Sequence, residues 1–176
     1  MVKLYKNFNI KNIHKNSIIL IGNFDGVHLG HQKLFKLANS YKKKYKLKIG
    51  VVNFDPMPKM FFNKSLKNFR ITSINQKVNL LSKLKVDFIV TKKFDKLFSK
   101  TKSINFIKEI LYKKLKSKFI FVSNNFRFGN KREGNVDLLI KNEDKYNFKV
   151  VKPEPLIKQQ KIISSTLIRG LLEKGY

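Results

Sequence analysis

Residues 17–31 read SIILIGNFDGVHLGH, an apolar run that leads through a glycine-containing turn into a helical pattern. Residues 17–21 predict a buried strand, and residues 32–45 predict an amphipathic helix. His28 and His31 are three positions apart in the first turn of this helix, so they share one face. A helix N-terminus offers unpaired N–H groups and a positive dipole potential, which attract phosphate. The pair therefore predicts a polyphosphate site, in preference to two purely structural histidines.

Short β-rich runs alternate with helical periodicity along the rest of the chain. Strands are predicted at residues 17–22, 49–54, 88–91, 119–122 and 148–151. Helices are predicted at residues 32–45, 75–84, 104–115 and 136–142, and a last one begins at Ser165. This alternation produces βαβ crossovers, so we expect an α/β fold with a parallel sheet of about five strands and helices on both faces. Ligands bind such sheets beyond the carboxyl ends of the strands.

The composition restricts the class of protein. A chain of 176 residues with 42% apolar residues is long enough for one domain with a core. It has no cysteine and three histidines, which excludes disulfides and argues against a structural zinc site. Its apolar runs are too short to span a bilayer, and its N-terminal residues do not form a signal-peptide core. The sequence therefore predicts a cytoplasmic protein without a membrane partner.

The net charge of +28, from 39 basic and 11 acidic residues, raises the question of a nucleic-acid partner. Only four of the basic residues are arginines, whereas base readers and phosphate clamps prefer the planar guanidinium group. The lysines are scattered, and their abundance beside Asn, Ile and Phe is typical of an AT-rich coding bias. We interpret them mainly as solvated side chains whose field favours anionic substrates. A basic nucleic-acid-binding module is the alternative.

Residues 52–58 read VNFDPMP and end the second predicted strand. The pattern places Asp55 at the carboxyl end of that strand, and two prolines restrict the path of the chain beyond it. The aromatic side chains that follow, including Phe62, are suited to line the pocket of a planar ligand. The alternative is an ordinary loop whose phenylalanines face the core.

Residues 122–134 follow the fourth predicted strand and include a second aromatic cluster. Asn125, Phe126, Arg127 and Phe128 combine two rings with an amide and a guanidinium group. This combination suits a ligand whose aromatic face stacks on the rings while its polar edge takes hydrogen bonds. RNA bases would fit the same description.

The last motif, ISSTLIR at residues 163–169, starts the final predicted helix. Ser164, Ser165 and Thr166 supply hydroxyl groups at the N-cap, and Ser165 and Arg169 are four apart on one face. These groups predict a second phosphate-binding element. The alternative is a capped helix in which Arg169 pairs with Glu173. The apolar residues of this helix predict its buried face: Leu167, Ile168, Leu171 and Leu172.

Together these motifs resemble the FAD synthetase (FMN adenylyltransferase) module of bacterial bifunctional riboflavin kinase/FAD synthetases. The resemblance rests on residues 21–32, 54–58, 125–129 and 163–169 in family order and covers residues 17–175. It implies a Rossmann-like nucleotidyltransferase fold for a single domain over residues 1–176. The chain departs from the family pattern at Met57, Ser123 and Asn125. It also ends where a riboflavin kinase domain normally follows, so we expect no riboflavin phosphorylation.

The resemblance implies that FMN and ATP are the substrates and that FAD and pyrophosphate are the products. His28, His31 and Arg169 are then the catalytic candidates, because they would stabilise the phosphate charge. Further ATP-binding candidates are the turn and the last motif: Gly22, Asn23, Phe24, Asp25, Ser164, Ser165 and Thr166. The flavin-binding candidates are Asn125, Phe126, Arg127, Phe128, Asp55 and Phe62.

Mg²⁺ is expected to accompany ATP, bound to phosphate oxygens and few protein groups. No pair of carboxylates in the sequence predicts a separate metal site, so the metal ligands stay open, as does the oligomeric state. A rival assignment is a nucleotidyltransferase that acts on another phosphorylated acceptor.

Overall fold

Six parallel strands form the central sheet in a computed structural model, which describes residues 2–66, 69–158 and 160–175. The described residues contain ten strands in all, of which six belong to this sheet. The strands are β1 (Lys3–Tyr5), β2 (Ile18–Ile21), β3 (Ile49–Asp55), β4 (Phe88–Lys93), β5 (Phe119–Phe121), β6 (Arg127–Phe128), β7 (Gly134–Asn135), β8 (Lys149–Val151), β9 (Ile157–Lys158) and β10 (Lys161–Ile162). The sheet has the order β1-β4-β3-β2-β5-β8, and all its pairs are parallel. Strands β6 and β7, and β9 and β10, form two short antiparallel ribbons.

Helices connect the strands as βαβ crossovers require. They are α1 (Leu29–Tyr45), α2 (Pro58–Phe62), α3 (Ile74–Lys83), α4 (Lys96–Ser99), α5 (Ser103–Asn105), α6 (Val136–Lys141), α7 (Glu143–Tyr146) and α8 (Ser165–Glu173). A π-helical segment, Phe106–Lys114, continues α5. Local chemistry explains several starts: Ser73 and Gln76 form a reciprocal capping box at α3, and Asp95, Asn135 and Ser164 cap α4, α6 and α8.

The sheet separates two hydrophobic cores because successive side chains of a strand point to opposite faces. Ile19 and Ile21 belong to the core beneath the π-helical segment and α6. Ile18 and Leu20 belong to the core beneath α1 and α3. All four side chains are buried, and each contributes about 1.5–3 kcal/mol relative to an exposed position. Helices therefore cover both faces of the sheet, as predicted.

The order of the strands identifies one edge of the sheet as the place for a ligand. From β2 the chain adds β3 and β4 on one side, and then returns to place β5 and β8 on the other side. The strands β2 and β5 are neighbours, and the chain leaves them in opposite directions across the sheet, towards β3 and towards β8. Open α/β sheets bind ligands in the crevice at such a switch point, beyond the carboxyl ends of the strands.

All five predicted strands and all five predicted helices are present, with ends that differ by a few residues. The sheet has one strand more than expected, β1, which pairs with the outer edge of β4. Its three residues are too few to show a period, and Leu4 is 54% exposed. The predicted buried face of α8 is wrong: Leu167 and Ile168 are only half-buried, and Leu171 and Leu172 are 42% and 54% exposed.

We predict that Gly50→Ala destabilises the fold. Gly50 lies in β3 opposite Phe88 of β4, and a Cβ atom at position 50 would lie 2.1 Å from Cζ of the buried Phe88 ring. Such overpacking costs about 1–3 kcal/mol, to be measured as the free energy of unfolding in urea. Phe88→Leu in the same chain should recover part of the loss.

Gly170→Ala is the matched control, because a Cβ there meets no atom within 4 Å. In the middle of α8 this change should stabilise the protein by about 0.5–1 kcal/mol. Equal denaturation midpoints for Gly50→Ala and the unaltered protein would contradict the packing argument.

Candidate active site

The turn between β2 and α1 presents two stacked histidines at the start of the helix. The chain passes through a 3₁₀ turn, Asp25–Val27, and His28 becomes the N-cap of α1. The His28 Nδ1 atom accepts a hydrogen bond of 3.4 Å from the backbone N–H of His31. The two ring centroids lie 3.6 Å apart at an interplanar angle of 22°. The predicted pair therefore shares one face, although His28 caps the helix rather than lying in its first turn.

Both imidazoles are neutral near pH 7. Burial, followed by the charge of His28, lowers the pKa of His31 to about 3. Burial, followed by the charge of Arg169, also lowers the pKa of His28. Because Nδ1 of His28 is an acceptor, the proton of its neutral ring is on Nε2. The pair can thus offer hydrogen bonds to an anion without carrying a charge of its own.

Asp25 holds the next part of the site together. Its side chain is 2% exposed and accepts hydrogen bonds from the backbone N–H groups of Ile71 and Thr72 at 3.0–3.1 Å. The Arg169 Nη2 atom donates to the same carboxylate at 2.7 Å. Burial alone would raise the pKa of Asp25, but these hydrogen bonds outweigh it and lower that pKa below its ordinary value.

Arg169 projects from α8 onto the segment before α3. Its Nε atom donates to the Phe69 carbonyl oxygen at 2.8 Å, and its guanidinium carbon lies 3.9 Å from the centre of the Phe69 ring. One turn earlier in α8, the Ser165 hydroxyl donates to the Asp25 carbonyl oxygen at 3.1 Å. Ser165 and Arg169 therefore share a face, as predicted, and Arg169 pairs with Asp25 rather than with Glu173.

The start of α8 also lies close to the start of α1. A Cβ atom at Gly30 would lie 2.9 Å from the Ile163 carbonyl oxygen, so only glycine permits this approach. Ser164 caps α8 by accepting from the Leu167 N–H, and Thr166 is exposed beside it. The structure thus brings the two predicted phosphate-binding elements together.

An aromatic cavity of about 400 Å³ adjoins this corner. Gly22 and Asn23, from the turn that carries the histidines, form one part of its wall. Asn125 and Arg127 contribute polar groups, and Phe126 and Phe128 stack with their centroids 5.5 Å apart. The phenylalanines of the lining come from five segments of chain: Phe54, Phe62, Phe94, Phe98, Phe106, Phe126 and Phe128.

A model of the family described as FAD synthetase matches residues 10–167 of this sequence. The chain belongs to the FAD synthetase family. A bifunctional riboflavin kinase/FMN adenylyltransferase of Buchnera aphidicola is 46% identical over 95% of the chain and 53% of its own length. The bifunctional riboflavin kinase/FMN adenylyltransferase of Escherichia coli K12 is 35% identical over 88% of the chain and 50% of its own length. The chain thus spans about half the length of these relatives.

Two solved structures share the fold. A Streptococcus pneumoniae protein described as a macrolide-efflux protein has a TM-score of 0.80 and 25% identity, over 96% of this chain and 55% of that one. A pantoate–β-alanine ligase of Francisella tularensis has a TM-score of 0.61 and 13% identity, over 96% and 73% of the two chains. At that identity the second likeness concerns the fold alone.

The remaining residues singled out from the sequence relate to the cavity in different ways. Asp55 does not line it and forms an ion pair with Arg70. Phe62 lines it at the rim, with 70% of its surface exposed. Phe24, at a positive φ of 47°, packs its ring against His31 in the core. Met57, one of the departures from the family pattern, is buried before α2.

Sequence reasoning missed several cavity residues. Phe94 and Phe98 follow the carboxyl end of β4, and Lys131 and Arg132 follow the aromatic cluster. The position of Phe94, three residues after the strand predicted at 88–91, was the only signal for this pair. Phenylalanine is so common in the chain, with 16 copies, that the residue type alone carried no information.

Two further properties concern metals and membranes. Within the described ranges, no group of three or more His, Cys, Asp or Glu side chains could hold a metal ion. Of the helices that the structure describes, none is long and apolar enough to cross a membrane.

We predict that Asp25→Asn lowers the free energy of unfolding by about 3–5 kcal/mol, the range for removal of one partner of a buried ion pair. The amide cannot accept from both backbone N–H groups and the guanidinium as the carboxylate does. Urea denaturation measures the loss. Asp144→Asn, at a side chain that is 99% exposed, is the control and should be neutral. Equal losses in the two variants would contradict the anchoring role.

The pKa of His31 predicts a pH dependence of stability. The unfolded chain binds a proton at this residue below about pH 6.5, whereas the folded state excludes it until about pH 3. The contribution of His31 is thus complete above pH 6.5 and is lost as the pH falls through this window. The expected slope is about 1.4 kcal/mol per pH unit for this proton.

Urea denaturation of the unaltered protein and of His31→Gln, repeated between about pH 4 and 7, measures this slope. His14 and His28, whose pKa values are also lowered, are present in both proteins, so the difference reports His31. Parallel pH profiles would show that His31 is not the group responsible.

Proposed function

We propose that this chain is an FMN adenylyltransferase, which transfers AMP from ATP to the phosphate of FMN and so forms FAD and pyrophosphate. One observation carries the proposal: the turn that bears the stacked histidines also forms a wall of the aromatic cavity. A phosphate-binding corner and a pocket for a planar ring are therefore contiguous. The names of the relatives, which match over the FAD synthetase region, support the same reaction.

ATP would occupy the corner between the starts of α1 and α8. His28 and His31 offer uncharged ring donors to its phosphates, and Arg169 offers the charged group. On the other side of the phosphates lies the start of α8, where hydroxyl and backbone N–H groups of Ser164, Ser165 and Thr166 would donate hydrogen bonds. The backbone of Gly22, Asn23, Phe24 and Asp25 would contact the nucleoside.

FMN would occupy the aromatic cavity. Phe126 and Phe128 present stacked rings to the flavin, and Asn125 and Arg127 supply polar groups for its edge. Phe62 would cover the rim. Lys131 and Arg132 place positive charge in the lining, which suits the phosphate of FMN.

The reaction needs positioning and charge stabilisation rather than a nucleophilic side chain. An oxygen of the FMN phosphate, already deprotonated at neutral pH, attacks the α-phosphorus of ATP in line. The bond from that phosphorus to the bridging oxygen breaks, and pyrophosphate leaves with the electron pair. His28, His31 and Arg169 would stabilise the negative charge as it moves onto pyrophosphate.

We further propose that Mg²⁺ enters with ATP, because the described residues offer no set of metal ligands of their own. When bound, it neutralises phosphate charge. The use of ATP supports a cytoplasmic location, with small molecules as partners. We also propose that residues 1–176 form one nucleotidyltransferase domain.

The test is incubation with FMN, ATP and Mg²⁺, with chromatography and flavin fluorescence to detect FAD. We expect FAD from the unaltered protein. His28→Ala should reduce turnover by about 100-fold or more, the scale for loss of one transition-state donor. Lys36→Ala, at an exposed position of the same helix, is the matched control and should retain full turnover.

Circular dichroism checks that each variant is folded. Full turnover in a folded His28→Ala protein would remove this residue from the mechanism. Absence of FAD, together with product from nicotinate mononucleotide or phosphopantetheine, would assign the chain to another acceptor. Salt-sensitive binding of RNA without turnover of ATP would show that the chain is a nucleic-acid-binding module rather than an enzyme.

A further inference from the structure

One lysine differs from the other lysines that the structure describes, because it is buried. Lys77 of α3 is 7% exposed, and it is the only lysine among the buried polar residues of the described chain. An ammonium group loses its hydration when it is buried, and proteins normally compensate with a paired carboxylate. The burial of Lys77 therefore needs an explanation that a solvated surface lysine does not.

Lys77 lacks a direct ion-pair partner among the carboxylate side chains. All eleven Asp and Glu residues lie in the described part of the chain, and none of them forms a salt bridge with Lys77. The two carboxylates whose charges act on it, Asp25 and Asp55, are paired with Arg169 and Arg70. Burial is the largest cause of its lowered pKa. The Lys77 cation therefore has no direct ion-pair partner among the described side chains.

The helix directs Lys77 towards the active site. Ser73 caps α3 beside Thr72, whose N–H and hydroxyl groups bind Asp25. Lys77 lies one turn further along α3, and Leu81, after another turn, is fully buried in the core. Side chains of a helix lean towards its N-terminus, which here is the end at the candidate site. The charge of Lys77 reaches His31, whose pKa it helps to lower.

We propose that Lys77 supplies a buried positive charge that stabilises the phosphates of bound nucleoside triphosphate beside His31. The neutral histidines offer hydrogen bonds there, and Arg169 is shared with Asp25. A polyphosphate provides the counter-charge that the protein itself does not. The inference rests on the proposed function, since it assigns Lys77 to the ATP subsite of the same site.

This role has a distinctive energetic signature. Burial of the Lys77 side chain without an ion pair costs hydration free energy, so an apolar side chain of similar length should be tolerated or should stabilise the fold. With ATP bound, the same replacement removes an attraction to phosphate. A functional lysine therefore exchanges stability for ligand binding. A lysine that only supports the fold would lose stability and activity together.

The test compares Lys77→Met and Lys77→Arg with Lys83→Met, a control at an exposed position of the same helix. We expect Lys77→Met to keep or raise the urea midpoint of the ligand-free protein. Its affinity for ATP, from calorimetry with ATP and Mg²⁺ but without FMN, should fall about tenfold or more. Turnover to FAD should fall at least as much. Lys77→Arg keeps the charge and should recover part of both, and Lys83→Met should change neither.

ATP binding is measured without FMN, so the result is separable from the acceptor. A protein that binds ATP but makes no FAD refutes the proposed function and leaves the Lys77 comparison valid. Unchanged ATP affinity per folded molecule in Lys77→Met overturns the inference, whether or not the urea midpoint of this variant falls. Failure of the unaltered protein to bind ATP overturns both proposals.

Discussion

The candidate site depends on one buried carboxylate, that of Asp25. It joins the turn after β2 to Ile71 and Thr72, 46 and 47 residues further along, and to Arg169, 144 residues away. Hydrogen bonds to a charged group contribute about 1.5–3 kcal/mol each, and more is lost when the remaining partners stay buried. The relative positions of α1, α3 and α8 therefore follow from the requirement to satisfy this one group. The candidate phosphate-binding corner is thus a product of tertiary pairing rather than of any single motif.

The site divides hydrogen bonding and charge between different side chains. His28 and His31 are uncharged because they are buried and close to each other and to cations. Arg169 carries positive charge beside them, and we propose that Lys77 adds a second positive charge. The excess of lysines adds a long-range field that attracts anions, although salt screens it. Recognition at short range and attraction at long range thus rest on different residues.

The sequence predicted best those features that depend on neighbours along the chain. Strands buried on both faces, capped helices and the HxGH turn all carry local signals, and the structure contains them. Lys77, Phe94 and the Asp25–Arg169 pair became visible only in three dimensions, because their importance comes from distant segments. The edge strand β1 was not predicted, because its extended conformation depends on pairing with β4 rather than on a pattern in its own residues. In α8 the opposite error occurred: the periodic apolar pattern predicted a buried face, but Leu171 and Leu172 are exposed.

The attachment of α8 has a consequence for how the protein loses activity. None of the residues Ser165–Glu173 is buried, and polar contacts made by Ser165 and Arg169 connect the helix to the turn and to the segment before α3. The sheet, by contrast, rests on two apolar cores. Local opening of α8 thus requires far less free energy than global unfolding. Mild denaturant or heat would detach the helix that carries Arg169 while the sheet stays intact, so the proposed activity is lost before the sheet unfolds.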